Sequence, residues 1–156
     1  MSEIRFHLKG DEHGYLSNFF PLPHGLELDG LVWPTSEHYF QAQKFVDTDP
    51  EHAEAIRRMQ RPYDAWQMGT DPNHPRRADW HSVRDAVMRK AVAAKFRQYP
   101  DLRRRLLATG TDQLVEHTAT DDYWGDGGDG SGQNRLGQIL MELRSELLSE
   151  AEEGDS

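Results

Sequence analysis

The chain has 156 residues, of which 36% are hydrophobic and 10% aromatic, and its formal net charge at pH 7 is −9. This length suits one domain that buries roughly two-thirds of its unfolded surface, and the negative charge argues against non-specific binding to nucleic acid or anionic membranes. Because no cysteine is present, disulfides, thiolate nucleophiles and Cys-ligated metal sites are excluded.

Acidic residues are concentrated at the C-terminus, where the segment from Ser145 onward carries five acidic residues and no basic one. We therefore predict one domain over residues 1–148 and an acidic, disordered tail over residues 149–156. The chain has no apolar run of about twenty residues and no signal-like start, which predicts a cytoplasmic protein.

Short strands are predicted in the N-terminal part of the chain. Residues 4–8 alternate between apolar and polar side chains, and the segment LELDGLVW at 26–33 indicates two strands that turn at Asp29 and Gly30. An Asp-Gly pair between two apolar runs is typical of a two-residue β-hairpin. The N-terminal fifth of the chain is therefore predicted to form a small sheet.

Helices follow, each with a recognisable start. The predicted helices run from Thr35 or Ser36 to about Val46, from Pro50 to about Gln60, from Pro62 to Gly69, from Asp79 through Gln98, from Pro100 to Gly110, and from Leu136 to Leu148. Residues 113–117 are predicted to form one more strand. These elements predict a helix-dominated α+β fold in a single domain, with a small N-terminal β-hairpin sheet.

One face of the first helix combines three kinds of polar side chain. Glu37, Gln41 and Lys44 are spaced i, i+4 and i+7, so they share a face. A carboxylate there can act as a general acid or base, and a lysine desolvated by aromatic neighbours can attack a sugar carbon. The alternative interpretation is a solvated polar stripe on the protein surface.

A glycine-rich segment, DDYWGDGGDGSGQNRLG at 121–137, contains six of the thirteen glycines of the chain. Glycines allow the backbone to approach a ligand closely, and backbone N–H groups ahead of a helix suit phosphate. The side chains of Asn134 and Arg135 add donors at that point. A mobile surface connection is the alternative interpretation.

Tryptophans differ in their surroundings along the sequence. Trp124 lies among the glycines and Trp33 lies between the hairpin and a helix start, so both are candidates for stacking on a planar ligand, whereas Trp66 is predicted to be a core residue. Neither the eight histidines nor the aspartates match a metal-binding pattern, and no fingerprint for ATP or a dinucleotide is present. We predict no metal and no cofactor.

Several segments together carry a resemblance to a known family. LSNFFP, WPTSEHYFQAQKF, VRDAVMRKAVAAKF, LRRRLLATG, LVEHT and YWGDGGDGSGQNRLGQILMELR occur in this order. From about Gly14 to Arg144 the chain resembles the NADAR family, and in particular its YbiA-like members.

The resemblance implies an N-glycosidase that acts on the phosphoribosylamino-pyrimidine intermediates of riboflavin biosynthesis and releases ribose 5-phosphate, without a cofactor. Its partner is then a small phosphoribosyl metabolite rather than a membrane. One alternative is a glycohydrolase of ADP-ribosyl-guanine, which would bring contact with nucleic acid. The second alternative is a non-catalytic module that binds ADP-ribose or a nucleotide.

The resemblance also implies roles for single residues. Catalysis is assigned to Glu37, Lys44 and Asp126, with the residue that attacks C1 left open between an amine and a carboxylate. Substrate binding is assigned to seven residues: Asn18, Trp33, Tyr39, Trp124, Gly125, Asn134 and Arg135. Arg57, Arg84 and Arg135 are equal candidates for the phosphate contact, and the oligomeric state stays open.

Overall fold

The structure of the protein, a computed structural model, describes residues 2–7 and 11–154. The elements in chain order are β1 (Glu3–Phe6), a 3-10 turn (Gly14–Leu16), β2 (Leu26–Leu28), β3 (Leu31–Trp33), α1 (Ser36–Gln43), α2 (Pro50–Arg57), α3 (Pro62–Gly69), α4 (Trp80–Gln98), α5 (Pro100–Ala108), β4 (Gln113–Glu116) and α6 (Arg135–Gly154). This order confirms the predicted helix-dominated α+β fold. The predicted end of the first strand at Leu8 lies outside the described residues.

Backbone contacts divide the chain into two compact units. The central unit is the continuous segment Asn18–Lys95, and the terminal unit combines Met1–Ser17 with Phe96–Ser156. The predicted single domain over residues 1–148 spans both segments.

The hairpin of the central unit is formed by β2 and β3, which pair in antiparallel register with Leu26 opposite Trp33 and Leu28 opposite Leu31. The two turn residues, Asp29 and Gly30, have φ angles of 55° and 80°. Positive φ at both positions is the geometry of the turn that matches strand twist in two-residue hairpins. The predicted hairpin is therefore confirmed, including its turn.

The helices of the central unit begin where the sequence predicts. The Thr35 hydroxyl accepts from the His38 N–H at the start of α1, and the Asp49 carboxylate accepts from the His52 N–H at the start of α2. Both helices end earlier than predicted. At the end of α1 the Lys44 N–H bonds to the Gln41 carbonyl, which is a tight i to i−3 turn in place of a further α-helical turn.

All eight residues of α1 are buried, so this short helix is the centre of its unit. Trp66 of α3 differs from its prediction as a core residue, because 42% of its surface is exposed. The buried side of α3 consists of Pro62, Ala65 and Gly69. The Trp66 ring instead stacks on Tyr63 outside that side, with ring centres 5.8 Å apart.

In the terminal unit, β1 pairs with β4 in parallel, from Glu3 opposite Gln113 to Phe6 opposite Glu116. The N-terminal strand therefore belongs to a sheet separate from the hairpin, and the prediction that the N-terminal fifth of the chain forms one small sheet is wrong for this strand. The buried face of α6 adds an apolar row to this unit, consisting of Leu136, Ile139, Leu140, Leu143 and Leu147.

The predicted disordered tail differs from the structure over residues 149–154, which continue α6 as exposed helix up to Gly154. Leu147 is buried one turn before, and the Glu150 carboxylate accepts from Arg97 at 2.7 Å, so the helix is held beyond the predicted end. Asp155 and Ser156 lie outside the described residues. Although α6 has 20 residues, no helix in the described ranges is both long and apolar enough to cross a membrane.

Candidate active site

The polar face of α1 is the core of the candidate site. Its three side chains are buried, with 6% of Glu37, 5% of Gln41 and 7% of Lys44 exposed. The alternative of a solvated surface stripe is therefore wrong. Buried polar groups are costly unless they are paired, so each contact of these side chains bears on what the site can do.

Lys44 has a desolvated ammonium group. Its Nζ donates to the Gly69 carbonyl at 3.1 Å and lies 5.8 Å from the centre of the Phe40 ring and 5.7 Å from that of Trp80. Burial lowers the pKa of Lys44 to about 8, although the nearby Glu37 carboxylate acts to raise it and Arg76 lowers it further. A lysine of this kind has a substantial neutral fraction near physiological pH, which is what a nucleophilic amine needs.

Gln41 lies between the two ends of this face and bonds to the Glu37 end. Its Nε2 donates to Oε1 of Glu37 at 2.8 Å, which fixes the orientation of the amide. The Gln41 Oε1 is buried and has no hydrogen-bond partner among the described residues. That amide oxygen is therefore an unused acceptor between the carboxylate and the amine.

Asn18 ties the preceding loop to the start of α1. Its Oδ1 accepts from the Ser36 hydroxyl at 2.8 Å, and its Nδ2 contacts the Met88 sulfur at 3.2 Å. The Asn18 carbonyl also accepts from the Glu37 N–H at 3.3 Å. Asn18 thus lies beside Glu37, as the sequence prediction requires, but its side-chain groups are engaged within the protein.

Next to the site, His38 is held in a neutral form. Its Nε2 lies 2.8 Å from the Met59 carbonyl, which requires the proton on that nitrogen, and its Nδ1 lies 2.7 Å from the Thr35 hydroxyl. Burial lowers the pKa of His38, against a smaller opposing effect of the Met59 hydrogen bond. His38 therefore fixes the start of α1 rather than supplying a proton.

Trp33 and Tyr39 lie elsewhere in the central unit. Tyr39 is two residues after Glu37, which places it about 160° away around the helix. Its hydroxyl donates to Asp29 at 2.7 Å, and the Trp33 ring packs edge-on against it with centres 5.2 Å apart. Burial, followed by the Asp29 hydrogen bond, raises the pKa of Tyr39. The predicted aromatic wall is thus on the side of α1 opposite Glu37 and Lys44.

Asp126, the second predicted carboxylate, lies in the terminal unit. Its oxygens accept from the Thr118 N–H at 3.1 Å, the Gly128 N–H at 2.8 Å and the His117 ring at 2.8 Å. Burial acts to raise the pKa of Asp126, but these hydrogen bonds outweigh it and the pKa is lowered. These contacts organise the glycine-rich segment around an ionised carboxylate.

Asn134 joins that segment to the sheet. Its Nδ2 donates to the Leu114 carbonyl at 2.9 Å and its Oδ1 accepts from the Glu116 N–H at 3.0 Å, while its own N–H bonds to the Gly125 carbonyl. Its φ of 50° is in the left-handed region, which Asn tolerates better than most residues. The predicted glycine-rich loop is thus an ordered structure at the start of α6.

Two further predicted binding residues flank this loop. Trp124 is half-buried, and Tyr123 packs edge-on against it at 4.8 Å. The Arg135 guanidinium contacts the Gln138 amide oxygen one turn along α6. The structure thus distributes the predicted set over both units: Asn18, Trp33, Glu37, Tyr39 and Lys44 in the central one, and Trp124, Gly125, Asp126, Asn134 and Arg135 in the terminal one.

Sequence reasoning missed three residues that surround Lys44. Gly69 was interpreted only as the end of a helix, yet it supplies the carbonyl that receives the amine. Trp80 forms part of the apolar surroundings, and Arg76 acts through its charge. Tryptophan at a helix start was a visible signal, whereas nothing in the spacing pointed to Arg76. No cluster of three or more His, Asp or Glu side chains suited to a metal ion occurs in the described part of the chain.

Comparison with known proteins gives a consistent result over nearly the whole sequence. The sequence model of the NADAR domain matches residues 5–148. The chain is 53% identical over 147 residues to the N-glycosidase YbiA of Escherichia coli, which covers 94% of this chain and 89% of that protein. It is 39% identical over 145 residues to an N-glycosidase of Nostoc punctiforme, with 92% of each chain covered.

Two further matches are a relative named for a biosynthetic pathway and a protein of known structure. A riboflavin biosynthesis protein of Vibrio vulnificus is 43% identical over 155 residues, which cover 95% of this chain and 39% of that protein. The NMR structure of the Escherichia coli protein YbiA superimposes with a TM-score of 0.86 at 52% identity, covering 96% of this chain and 87% of that one.

Proposed function

Since the chain belongs to the NADAR domain family and matches N-glycosidases over more than nine-tenths of its length, we propose that it is a hydrolase of N-glycosyl bonds whose substrates are the phosphoribosylamino-pyrimidine intermediates of riboflavin biosynthesis. The products are ribose 5-phosphate and a pyrimidine amine. Support for the pathway comes from the riboflavin biosynthesis protein among the relatives. A cytoplasmic location follows from this proposal, because charged phosphate esters do not cross membranes unaided.

The observation that carries the proposal is the desolvated amine of Lys44. With a pKa of about 8, a useful fraction of this side chain is neutral at pH 7 and its lone pair is available. In the proposed first stage the bond from C1 to the pyrimidine amine breaks and the leaving nitrogen takes up a proton. Nζ of Lys44 bonds to C1 and passes one proton to the ring oxygen, so that the bond from C1 to that oxygen breaks, a hydroxyl group is left and an iminium ion forms at C1.

In the second stage water adds to C1, the bond to Nζ breaks and the lysine is regenerated, so that one water molecule is consumed for each bond hydrolysed. Glu37 is the proposed proton carrier, first to the leaving nitrogen and then from the attacking water. Its hydrogen bond from Gln41 supports this role, because it holds the carboxylate in one orientation.

The remaining predicted residues are proposed to have different roles. Asn18 is proposed to position Glu37 through the start of α1, and Trp124, Gly125, Asn134 and Arg135 to contribute binding groups of the terminal unit. For Asp126, the three hydrogen bonds that it accepts favour a role in shaping the loop over one as the second catalytic carboxylate. Trp33 and Tyr39 are on the other side of α1, where the Tyr39 hydroxyl bonds to Asp29.

The test is a turnover assay in metal-free buffer with the phosphoribosylamino-uracil intermediate, following release of ribose 5-phosphate. Lys44→Ala should abolish release while the protein stays folded. Lys90→Ala is the matched control, because Lys90 is an exposed lysine of the same unit and should leave release unchanged.

Reduction with borohydride during turnover should trap the sugar on the enzyme, and peptide mass spectrometry should place it on Lys44. Lys95 is the internal comparison, since burial lowers its pKa to about 7 and it should stay unlabelled. Wild-type enzyme that is folded but releases nothing would favour ADP-ribosyl-guanine as the substrate. Release without any trapped adduct would instead assign the chemistry to Glu37 and water.

A further inference from the structure

A cavity of about 300 Å³ lies between the hairpin, α1 and α2 of the central unit, beside Asp29 and Glu54. Its apolar lining comes from five residues: Leu31, Trp33, Val46, Pro50 and Ala53. This volume is at the lower end of the range of small-molecule sites, which are apolar concavities with a few polar groups. At its rim Leu31 and the adjacent Val32 are 43% and 48% exposed, and exposed apolar clusters commonly mark binding sites.

The amide of Gln43 lines this cavity, and only 9% of Gln43 is exposed. Its side chain forms no hydrogen bond with any part of the protein that the structure describes. The amide borders the cavity and is not among the fully buried polar groups that lack a partner, so solvent in the cavity reaches it until a ligand takes that place. A ligand that presents one donor and one acceptor side by side would satisfy both groups of the amide.

The carboxylates beside the cavity are already neutralised. Asp29 accepts from Lys90 at 2.6 Å and from Tyr39 at 2.7 Å, and Glu54 accepts from Arg57 and Arg58. The hydrogen bonds with Lys90 and Tyr39 lower the pKa of Asp29, so it stays ionised and paired. The cavity therefore has no unpaired carboxylate at its edge that would need a charged ligand, and a neutral ligand suits its electrostatics.

This cavity is distinct from the polar face of Glu37 and Lys44. Gln43 is six residues after Glu37, which is about 120° away around α1, and the cavity lining includes neither Glu37 nor Lys44. We propose that it is a second binding site, for a neutral planar heterocycle whose lactam edge, an N–H next to a C=O, pairs with the Gln43 amide. Trp33 supplies the aromatic surface. The site does not depend on the N-glycosidase proposal.

The test uses the whole protein, labelled with ¹⁵N and titrated with uracil, whose N3–H and neighbouring carbonyl form such an edge. Saturable shifts should appear at the backbone amides of Leu31, Val46 and Ala53 and at the side-chain amide of Gln43. Under the same conditions 1,3-dimethyluracil, which has no N–H, should bind at least tenfold more weakly, equivalent to about 1.4 kcal/mol.

Gln43→Met keeps the length of the side chain and should weaken uracil binding about tenfold without altering turnover. Gln67→Met, on the exposed part of α3, is the matched control and should bind as the wild type does. Leu31→Glu at the exposed rim is a second variant with little risk to folding, and it should also weaken binding. Shifts confined to residues around Lys44, equal binding of the two pyrimidines, or no saturable shift at all would overturn the proposal.

Discussion

Gln41 and Gly69 are packed so closely that a methyl group on Gly69 would lie 2.7 Å from the Gln41 Cβ and closer still to its amide oxygen. Non-bonded carbon atoms do not approach each other this closely, so glycine is required at this position because a side chain would clash, and not because of its backbone angles. The same residue supplies the carbonyl that receives Lys44. Gly69 therefore sets the positions of the amide and the amine together.

Gly69→Ala should consequently displace Gln41 and release Lys44 from its acceptor. We expect the free energy of unfolding to fall by about 1–3 kcal/mol, as for other overpacked sites, and turnover to fall with it. The measurement is chemical denaturation together with the turnover assay. Adding Gln41→Ala should recover part of the stability because it removes the amide atoms nearest to the new methyl group, although the Cβ of residue 41 stays in contact. Strictly additive effects in the double variant would show that the two residues are not coupled.

The pH dependence of turnover should report the protonation of Lys44. If the neutral amine is the nucleophile, kcat/KM rises about tenfold per pH unit at low pH and levels off above the pKa of about 8. A pH–rate profile measured in matched buffers checks this. Residual activity of Lys44→Ala should lack this inflection, and a wild-type profile that is flat across pH 8 would contradict an amine nucleophile.

The stability of the protein should also depend on the charge of Lys44. Its folded pKa of about 8 lies below the ordinary value of 10.5, so between these pH values the unfolded state binds the extra proton and stability rises with pH. Below pH 8 the buried charge costs up to about 3 kcal/mol. Lys44→Met should therefore be more stable than wild type at pH 7, and this difference should shrink toward pH 10.

Comparing the unfolding free energies of wild type and Lys44→Met at each pH cancels the pH-dependent contribution of Lys95, which both proteins contain. Lys90→Met is the control, since that side chain is exposed and paired with Asp29, and its substitution should change stability by less than about 1 kcal/mol. A Lys44→Met protein that is less stable than wild type at pH 7 would mean that the Gly69 hydrogen bond outweighs the cost of burial.

Asp126 should contribute mainly to stability. Asp126→Ala leaves the donors of Thr118, Gly128 and His117 without their acceptor, and we expect a loss of about 1–3 kcal/mol at pH 7. Because the folded pKa is lowered from 3.8, this contribution is present above the unfolded pKa and is lost as the pH falls through the folded value. Thermal unfolding measures it, with the exposed Asp122→Ala as a control that should stay near wild type.

Tyr39→Phe should separate the two sides of α1. The variant removes a hydrogen bond to the ionised Asp29, which should cost about 1–3 kcal/mol in unfolding free energy. Turnover should stay within about twofold of wild type, because the ring faces away from Glu37 and Lys44. A large fall in kcat with unchanged stability would instead indicate that Tyr39 acts in the catalytic site.

Local chemistry explains which elements were predictable. Asp29 and Gly30 specify a turn, Thr35 and Asp49 cap helices, and Pro62 and Gly69 bound α3, so each of these features is determined by residues a few positions apart. The i, i+4 and i+7 spacing of Glu37, Gln41 and Lys44 likewise needed only helical geometry.

The features that could not be predicted depend on residues far apart in sequence. The parallel pairing of Glu3 with Gln113 joins opposite ends of the chain, and the carbonyl that receives Lys44 is 25 residues away. A helix of eight buried residues also gives no sign of which side faces a cavity, so the family resemblance that assigns Trp33 and Tyr39 to substrate binding could not be checked against their side of α1.

The division of the chain at Ser17 and Lys95 bears on the order in which parts of the protein can fold during synthesis. Residues 18–95 form one uninterrupted piece and can acquire their hairpin and helices while the remainder is still being synthesised. The first strand has to wait for more than a hundred further residues before Gln113 emerges to pair with it. A ribosome that stalls before that point would therefore display an early folded centre and an unpaired β1 edge, the kind of segment that cellular chaperones recognise.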